Sequence, residues 1–204
     1  MTEDIGLFEA MYTQRAVRRF KPDPVPDELV EKLIEAATKA PSGSNRQPWV
    51  FIVVREPETK RQIGEFYKAA WNASFAPGSS GIQALTPRIR SSAQYLGDHM
   101  SDAPVLVFAC IEHSDTPSVT SGSSIYPAVQ NLLLAARGMG IGSVLTTLHK
   151  RHDAEIKALL GIPENIETAA LLPLGYPAEG DGYGPTRRRP IEEVTHWERW
   201  GSSR

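Results

Sequence analysis

The run Val105-Leu106-Val107-Phe108-Ala109-Cys110-Ile111 carries no polar side chain and is too short to cross a membrane, so it reads as a buried strand. Around it the apolar pattern switches between helical and extended periods. Residues 4–12 place Ile5, Phe8, Met11 and Tyr12 at helical spacing. Pro22, Pro24 and Pro26 then fix an extended path until Asp27, a good N-cap residue, opens a helix. Leu29, Val30, Leu33, Ile34 and Ala37 share one face of that helix, and Pro41 stops it. A strand at about 49–55 precedes a helix beginning near Pro57, where the missing N–H of proline is harmless.

Beyond the buried strand, a helix from about Ser124 to Met139 has a broad apolar face built from Ala128, Val129, Leu132, Leu133, Ala135 and Ala136. Such breadth predicts burial on more than one side, at a core centre or a subunit interface. A third strand from Gly142 to Thr147, a helix at 153–160 and a fourth strand at about 168–174 complete the core. The alternation predicts one domain over 1–204 that is α+β or three-layered. Residues 71–94 are the least regular stretch, and Pro77-Gly78-Ser79-Ser80-Gly81 marks a lid over a site or a solvated loop. The tail, 178–204, is polar and rich in Gly and Pro, yet carries Trp197 and Trp200, which predicts docking on another surface, a second subunit among the options.

A net charge of -2 over 204 residues, with 23% of them charged, argues against a general nucleic-acid binder, which needs an extended basic face. Cys110 is the single cysteine, so no internal disulfide can form, and its place in the apolar strand makes it a core residue suited to a reducing cytoplasm. Nothing in the chain has the length or composition of a signal peptide or membrane span, so the expectation is a cytoplasmic protein with no membrane and no nucleic-acid partner.

The basic residues are local. Arg15, Arg18 and Arg19 lie within Gln14-Arg15-Ala16-Val17-Arg18-Arg19-Phe20, and Arg187, Arg188 and Arg189 are consecutive. Each cluster presents guanidinium forks suited to phosphate oxygens, although either one alone equally describes a solvated charge run. Between helix and strand, Ala40-Pro41-Ser42-Gly43-Ser44-Asn45-Arg46-Gln47-Pro48-Trp49 is a ligand-holding type of loop. Gly138-Met139-Gly140-Ile141-Gly142 is not a dinucleotide fingerprint, because it leaves a helix and enters a strand; caps and close packing explain it. Thr146 and Thr147 stand at the C-terminal end of that strand, where hydroxyls commonly face a ligand and where two β-favouring residues also simply belong. His149 and His152 have a metal-ligand spacing, but no further ligand is evident and Lys150 and Arg151 oppose a metal charge, so no metal is expected.

Four ordered pieces, Gln14 to Phe20, Pro41 to Trp49, Gln130 to Ala136 and Arg187 to Pro190, resemble the FMN-dependent nitroreductase family over most of the chain. The resemblance implies an α+β, three-layer sandwich with a central, mainly antiparallel sheet. Its subunits exchange terminal segments, so that two flavins lie in the homodimer interface. It implies that Arg15, Ala16, Arg18, Arg187 and Arg189 grip the FMN phosphate and ribityl chain. It implies too that Pro41, Ser42, Gly43 and Asn45 cover the flavin of the neighbouring subunit. Thr146 and Thr147 match the segment that approaches flavin N5, a threonine arrangement similar to that of the deiodinase branch. Gln14 and Ala16 depart from the arginine and serine frequent at those positions.

The activity implied is electron transfer from NAD(P)H through FMN to nitroaromatic, quinone or similar small aromatic acceptors, in ping-pong order and with no obligatory protein acid or base. Two alternatives stand beside it. One is a specialised branch, reductive dehalogenase or dimethylbenzimidazole synthase, for which Glu65, Tyr67 and Lys68 are candidates to hold a zwitterionic substrate. The other is a non-catalytic flavin-binding or sensing protein. The donor is left open between NADH, NADPH and a deazaflavin.

Overall fold

The computed structural model describes residues 5–76, 79, 85–113 and 122–202. Its centre is a four-stranded sheet in the order β1-β2-β4-β3, antiparallel throughout, with β1 at Trp49–Val54, β2 at Val105–Glu112, β3 at Gly142–Ser143 and β4 at Ile166–Gly175. The apolar run forms β2, buried along all but its last residue and flanked by β1 and β4. Alternate side chains of β2 serve opposite faces of the sheet. Val105, Val107, Ala109 and Ile111 face a cluster that includes Val30, Leu33, Ile125, Val129 and Leu132. Leu106, Phe108 and Cys110 face another that includes Ile63, Tyr67, Leu96 and Ile156.

The first face is covered by α2 (Asp27–Ala37) and α5 (Gly122–Gly138), behind the short α1 (Leu7–Thr13). The second is covered by α3 (Pro57–Ser74), α4 (Pro87–His99) and α6 (Asp153–Leu160). Helices on both faces of one sheet give the three layers. In α2 the acid at Asp27 sits in the first turn rather than at the cap, which is Pro26, and the helix ends at Ala37, short of Pro41. The side chain of Glu56 caps α3, accepting from the backbone N–H groups of Glu58 and Thr59 at 2.9 and 2.5 Å, with Pro57 at the first position.

Two expectations are corrected. The stretch 71–94 is largely helical among its described residues, because α3 runs to Ser74 and Thr86, accepting from Ile89 N–H at 3.4 Å, caps α4 with Pro87 behind it. Of Pro77 to Gly81, only Ser79 is among the described residues. The strand expected from Gly142 to Thr147 pairs only at Gly142–Ser143, then once more where Thr146 bridges Leu171. Both pairings share one register, which sets Val144 opposite Pro173; proline has no N–H to give, so the ladder lapses there.

Gly140, at φ 73°, ends α5 with the Ile141 N–H bonded to the Ala136 carbonyl at 2.8 Å, which bears out the cap reading of that glycine segment. Cys110 is fully buried in β2, and desolvation, with Asp153 next in weight, pushes its thiol up to about 11. After β4 the chain turns back along the N-terminal segment, with Lys21 N–H bonded to the Tyr176 carbonyl at 2.8 Å and Ala178 N–H to the Arg19 carbonyl at 3.0 Å. Among the described residues no helix is long and apolar enough to cross a membrane.

Candidate active site

The cationic segment is placed by its backbone. Val17 N–H donates to the Ser143 carbonyl at 3.0 Å, which lays the segment along β3 with Val17 buried and Ala16 and Arg18 half-buried. Arg18 then reaches a cavity of about 420 Å3 between that sheet edge and the helices α3 and α4. The wall is largely apolar: Trp71, Phe75, Leu85, Ile89, Ala93, Leu96, Val144, Leu145 and Leu148. Its polar groups are Arg18, Tyr67, Thr146, Thr147 and Arg151. A mainly apolar concavity with a few convergent polar groups is the usual form of a small-molecule or cofactor site.

The aromatic part of the wall is rigid. Trp71 and Phe75, one helical turn apart, stack with ring centroids 4.2 Å apart, and Trp71 Nε1 donates to Gln94 Oε1 on α4 at 2.5 Å. Burial lowers the pKa of Arg18, while Tyr67 and Asp181 favour its charged form and Arg15 opposes it. Among the described residues the one hydrogen bond of its guanidinium is a long 3.5 Å contact from Nη1 to Ser92 Oγ, and a guanidinium carries five N–H donors. Tyr67 is buried, and its hydroxyl lies 2.9 Å from Thr146 Oγ1. Desolvation raises the Tyr67 pKa, against Thr146 and Arg18, which lower it, so the phenol is protonated at neutral pH.

Of the residues singled out from sequence, Arg18, Thr146 and Thr147 line this cavity, and Arg15 lies close enough to Arg18 to oppose its charge. Ala16 is partly buried against the core beneath it. Pro41, Ser42, Gly43 and Asn45 do not line the cavity; their loop sits by the start of α5, where Gly43 N–H donates to Ser124 Oγ at 3.4 Å. The loop is held out of ordinary backbone space, with φ of 53°, 55° and 52° at Ser44, Asn45 and Gln47. Ser42 Oγ supports that shape by accepting from Gln47 N–H at 3.0 Å. Arg187 and Arg189 are exposed and outside the cavity wall.

Glu65, Tyr67 and Lys68 do not converge. Glu65 pairs with Arg61, Lys68 pairs with Asp98 at 2.9 Å, and only Tyr67 reaches the cavity. The two histidines also part company. His149 is fully buried, its Nε2 3.1 Å from Thr168 Oγ1, whereas His152 contacts Glu155 and stacks on Phe66. Among the described residues no group of three or more His, Cys, Asp or Glu is arranged for a metal. Sequence reasoning missed the aromatic wall. Its signal was the Trp71 and Phe75 spacing on one helix, together with Thr86-Pro87 opening the next.

The sequence profile described as the Nitroreductase family matches residues 12–176. A protein named NADH dehydrogenase from Thermus thermophilus is 32% identical over 200 residues, spanning 92% of this chain and 94% of that one. Among solved structures, an oxidised iodotyrosine deiodinase bound to FMN and 3-iodo-L-tyrosine has a TM-score of 0.73 at 27% identity, covering 97% of this chain and 100% of that one. A BluB-like flavoprotein from Clostridium difficile 630 has a TM-score of 0.76 at 25% identity, covering 96% of this chain and 100% of that one.

Proposed function

The chain belongs to the Nitroreductase family, and from that premise we propose that it is a homodimeric, FMN-dependent oxidoreductase. It takes electrons from NAD(P)H and passes them to a nitroaromatic, quinone or similar small aromatic acceptor. The observation that carries the reading is the cavity of about 420 Å3, which sets a stacked aromatic and aliphatic wall against Arg18 and two threonine hydroxyls.

The chemistry of that lining fits FMN. A flat, largely apolar ring system with a polar edge needs one apolar wall and a few donors, and a dianionic phosphate needs guanidinium forks at the end of a flexible chain. Arg15, Arg18 and the backbone at Ala16 would hold the phosphate and ribityl end together with Arg187 and Arg189. Thr146 and Thr147 would face the edge that bears N5. The loop bearing Pro41, Ser42, Gly43 and Asn45 would cover the cofactor of a second subunit, in keeping with its distance from this chain's own cavity wall.

When bound, FMN supplies the hydride- and electron-accepting chemistry that these side chains lack. The chain itself orients and excludes water. Its apolar wall desolvates whatever enters, and the half-buried Arg18 charge favours electron-rich groups beside it. Donor and acceptor use one cavity in turn, a ping-pong order. The second subunit is supported by apolar surface that one chain leaves in water: Leu7, Phe8, Met11 and Tyr12 on α1, and Ile191, Val194, Trp197 and Trp200 in the tail.

Initial rates with NADPH and p-benzoquinone varied together test the order. Parallel double-reciprocal lines are expected, and intersecting lines contradict it. A second reading, the specialised deiodinase or dimethylbenzimidazole branch, is favoured by the TM-scores of 0.73 and 0.76 and by the threonine pair. The separation of Glu65 and Lys68 from the cavity weighs against a zwitterionic substrate. Halotyrosine turnover with dithionite, and none with NADPH, would move the assignment to that branch.

A further inference from the structure

We propose that Tyr67 is a positioning residue whose phenol donates to Thr146 Oγ1 and thereby turns the Thr146 hydroxyl hydrogen into the cavity, as a fixed donor toward the bound cofactor. The inference rests on the FMN reading above and deepens it, because it singles out Thr146 over Thr147.

At 2.9 Å either oxygen of the pair has the distance to be the donor, so the direction follows from what else each oxygen meets. Tyr67 is 4% exposed, and among the described residues its hydroxyl has no hydrogen-bond partner besides Thr146. Were Thr146 the donor, the phenol hydrogen would have no protein acceptor among the described residues, and a largely buried hydroxyl left so is disfavoured. The Arg18 guanidinium lies near enough to favour the ionised phenol, so the lone pairs of the Tyr67 oxygen face a cation and its hydrogen turns away.

Thr146 completes the argument. A hydroxyl has two lone pairs and one hydrogen. Leu148 N–H donates to Thr146 Oγ1 at 3.4 Å and Tyr67 O–H occupies the other acceptor position, which leaves the hydrogen as the one unspent valence. Thr146 is half-buried and lines the cavity, so that hydrogen points there. Its backbone is locked as well, with N–H and C=O both bonded to Leu171 at 3.0 and 2.9 Å. Thr147 is exposed, and among the described residues its hydroxyl has no partner to fix it. A donor that needs no reorientation when negative charge develops is the form in which a hydrogen bond stabilises reduction most.

The test uses Tyr67→Phe, Thr146→Val and the double variant. In the ligand-free protein, the Raman tyrosine Fermi doublet compared between wild type and Thr146→Val reports the sense of the bond. Loss of one donor tyrosine is expected, and an acceptor tyrosine, or no change, overturns the proposal whether or not flavin binds. In FMN titrations each single variant should weaken binding roughly tenfold, the size of one ordered hydrogen bond. The double variant should bind no more weakly than Thr146→Val alone, and the reduction potential of bound flavin should move in the same direction in all three. A normal potential in Tyr67→Phe beside a shifted one in Thr146→Val refutes positioning by the phenol. A wild-type protein that takes up no FMN refutes the functional reading instead and leaves the Raman result to decide the bond.

Discussion

Val17 donates its backbone N–H to the Ser143 carbonyl over 3.0 Å, and beside that bond the Val17 side chain packs against the bare α-carbon of Gly142. A Cβ at Gly142 would lie 2.7 Å from Val17 Cγ1 and 3.1 Å from the Gly175 carbonyl. The cationic segment approaches the sheet edge so closely only because residue 142 is glycine. The position of Arg18 in the cavity therefore depends on a residue that touches no ligand.

Gly142→Ala should destabilise the fold by about 1–3 kcal/mol, the usual range for overpacking a tight contact. It should also weaken FMN binding by displacing Arg15 and Arg18. Urea unfolding and flavin fluorescence titration check both; an unchanged midpoint with unchanged affinity would show that Val17 yields freely.

Arg18→Ala should raise the FMN dissociation constant roughly 100-fold, the size of charge-assisted hydrogen bonds lost from a partly desolvated group. Arg187→Ala and Arg189→Ala remove exposed charges, so their effects should be smaller and should fade with added salt. Titrations at low and high ionic strength measure this. Equal, salt-insensitive losses at all three positions would contradict the division between an inner and an outer cation.

Burial of His149 gives stability a pH dependence whose sign follows from desolvation. Burial first, and Lys150 next, depress its pKa from 6.5 to about 4, with Asp153 and the backbone of Thr168 and Thr146 pulling the other way. The unfolded chain therefore binds the proton more readily. Stability is whole above about pH 6.5, declines as pH falls toward about 4, and levels off below it. At about 1.4 kcal/mol per tenfold change in proton affinity, the full loss is about 3 kcal/mol. Urea midpoints between about pH 7 and pH 5, above the range where most carboxylates titrate, should fall for wild type and stay flatter for His149→Gln. Parallel curves would assign the dependence to other groups.

Cys110 should be inert in the native protein. Its thiol is fully buried and raised to about 11, chiefly by desolvation, so little thiolate exists and none is accessible. Iodoacetamide at mildly alkaline pH should label it only after denaturation, as read by mass spectrometry. Rapid labelling of the folded protein would place β2 in a far more open structure.

Much of this architecture was legible where one physical signal acted alone. The apolar run from Val105, the face shared by Val30, Leu33 and Ala37, and the glycine cap at Gly140 each follow from local pattern. Legibility failed where a second strand or a distant turn decided the outcome. The lapse of β3 is written at Pro173, on another strand, and only the register makes it visible. The helix α4 was hidden behind the Pro and Gly of residues 77–81, although Thr86-Pro87 states its start. In the site, Arg18 and Thr146 stand out in the sequence, whereas Tyr67, whose hydroxyl meets Thr146, stands out there as a candidate for a substrate contact. Nothing in the spacing of Tyr67 and Thr146 announces a contact across 79 residues.

In the proposed reading this cavity would hold an FMN that NAD(P)H reduces. An anaerobic titration of the FMN-loaded protein with NADPH, followed in the visible spectrum, decides this. Stoichiometric bleaching of the yellow chromophore, and its return on adding a quinone, is the predicted result. A protein that takes up no FMN, or one whose bound flavin neither NADPH nor NADH bleaches, would contradict it.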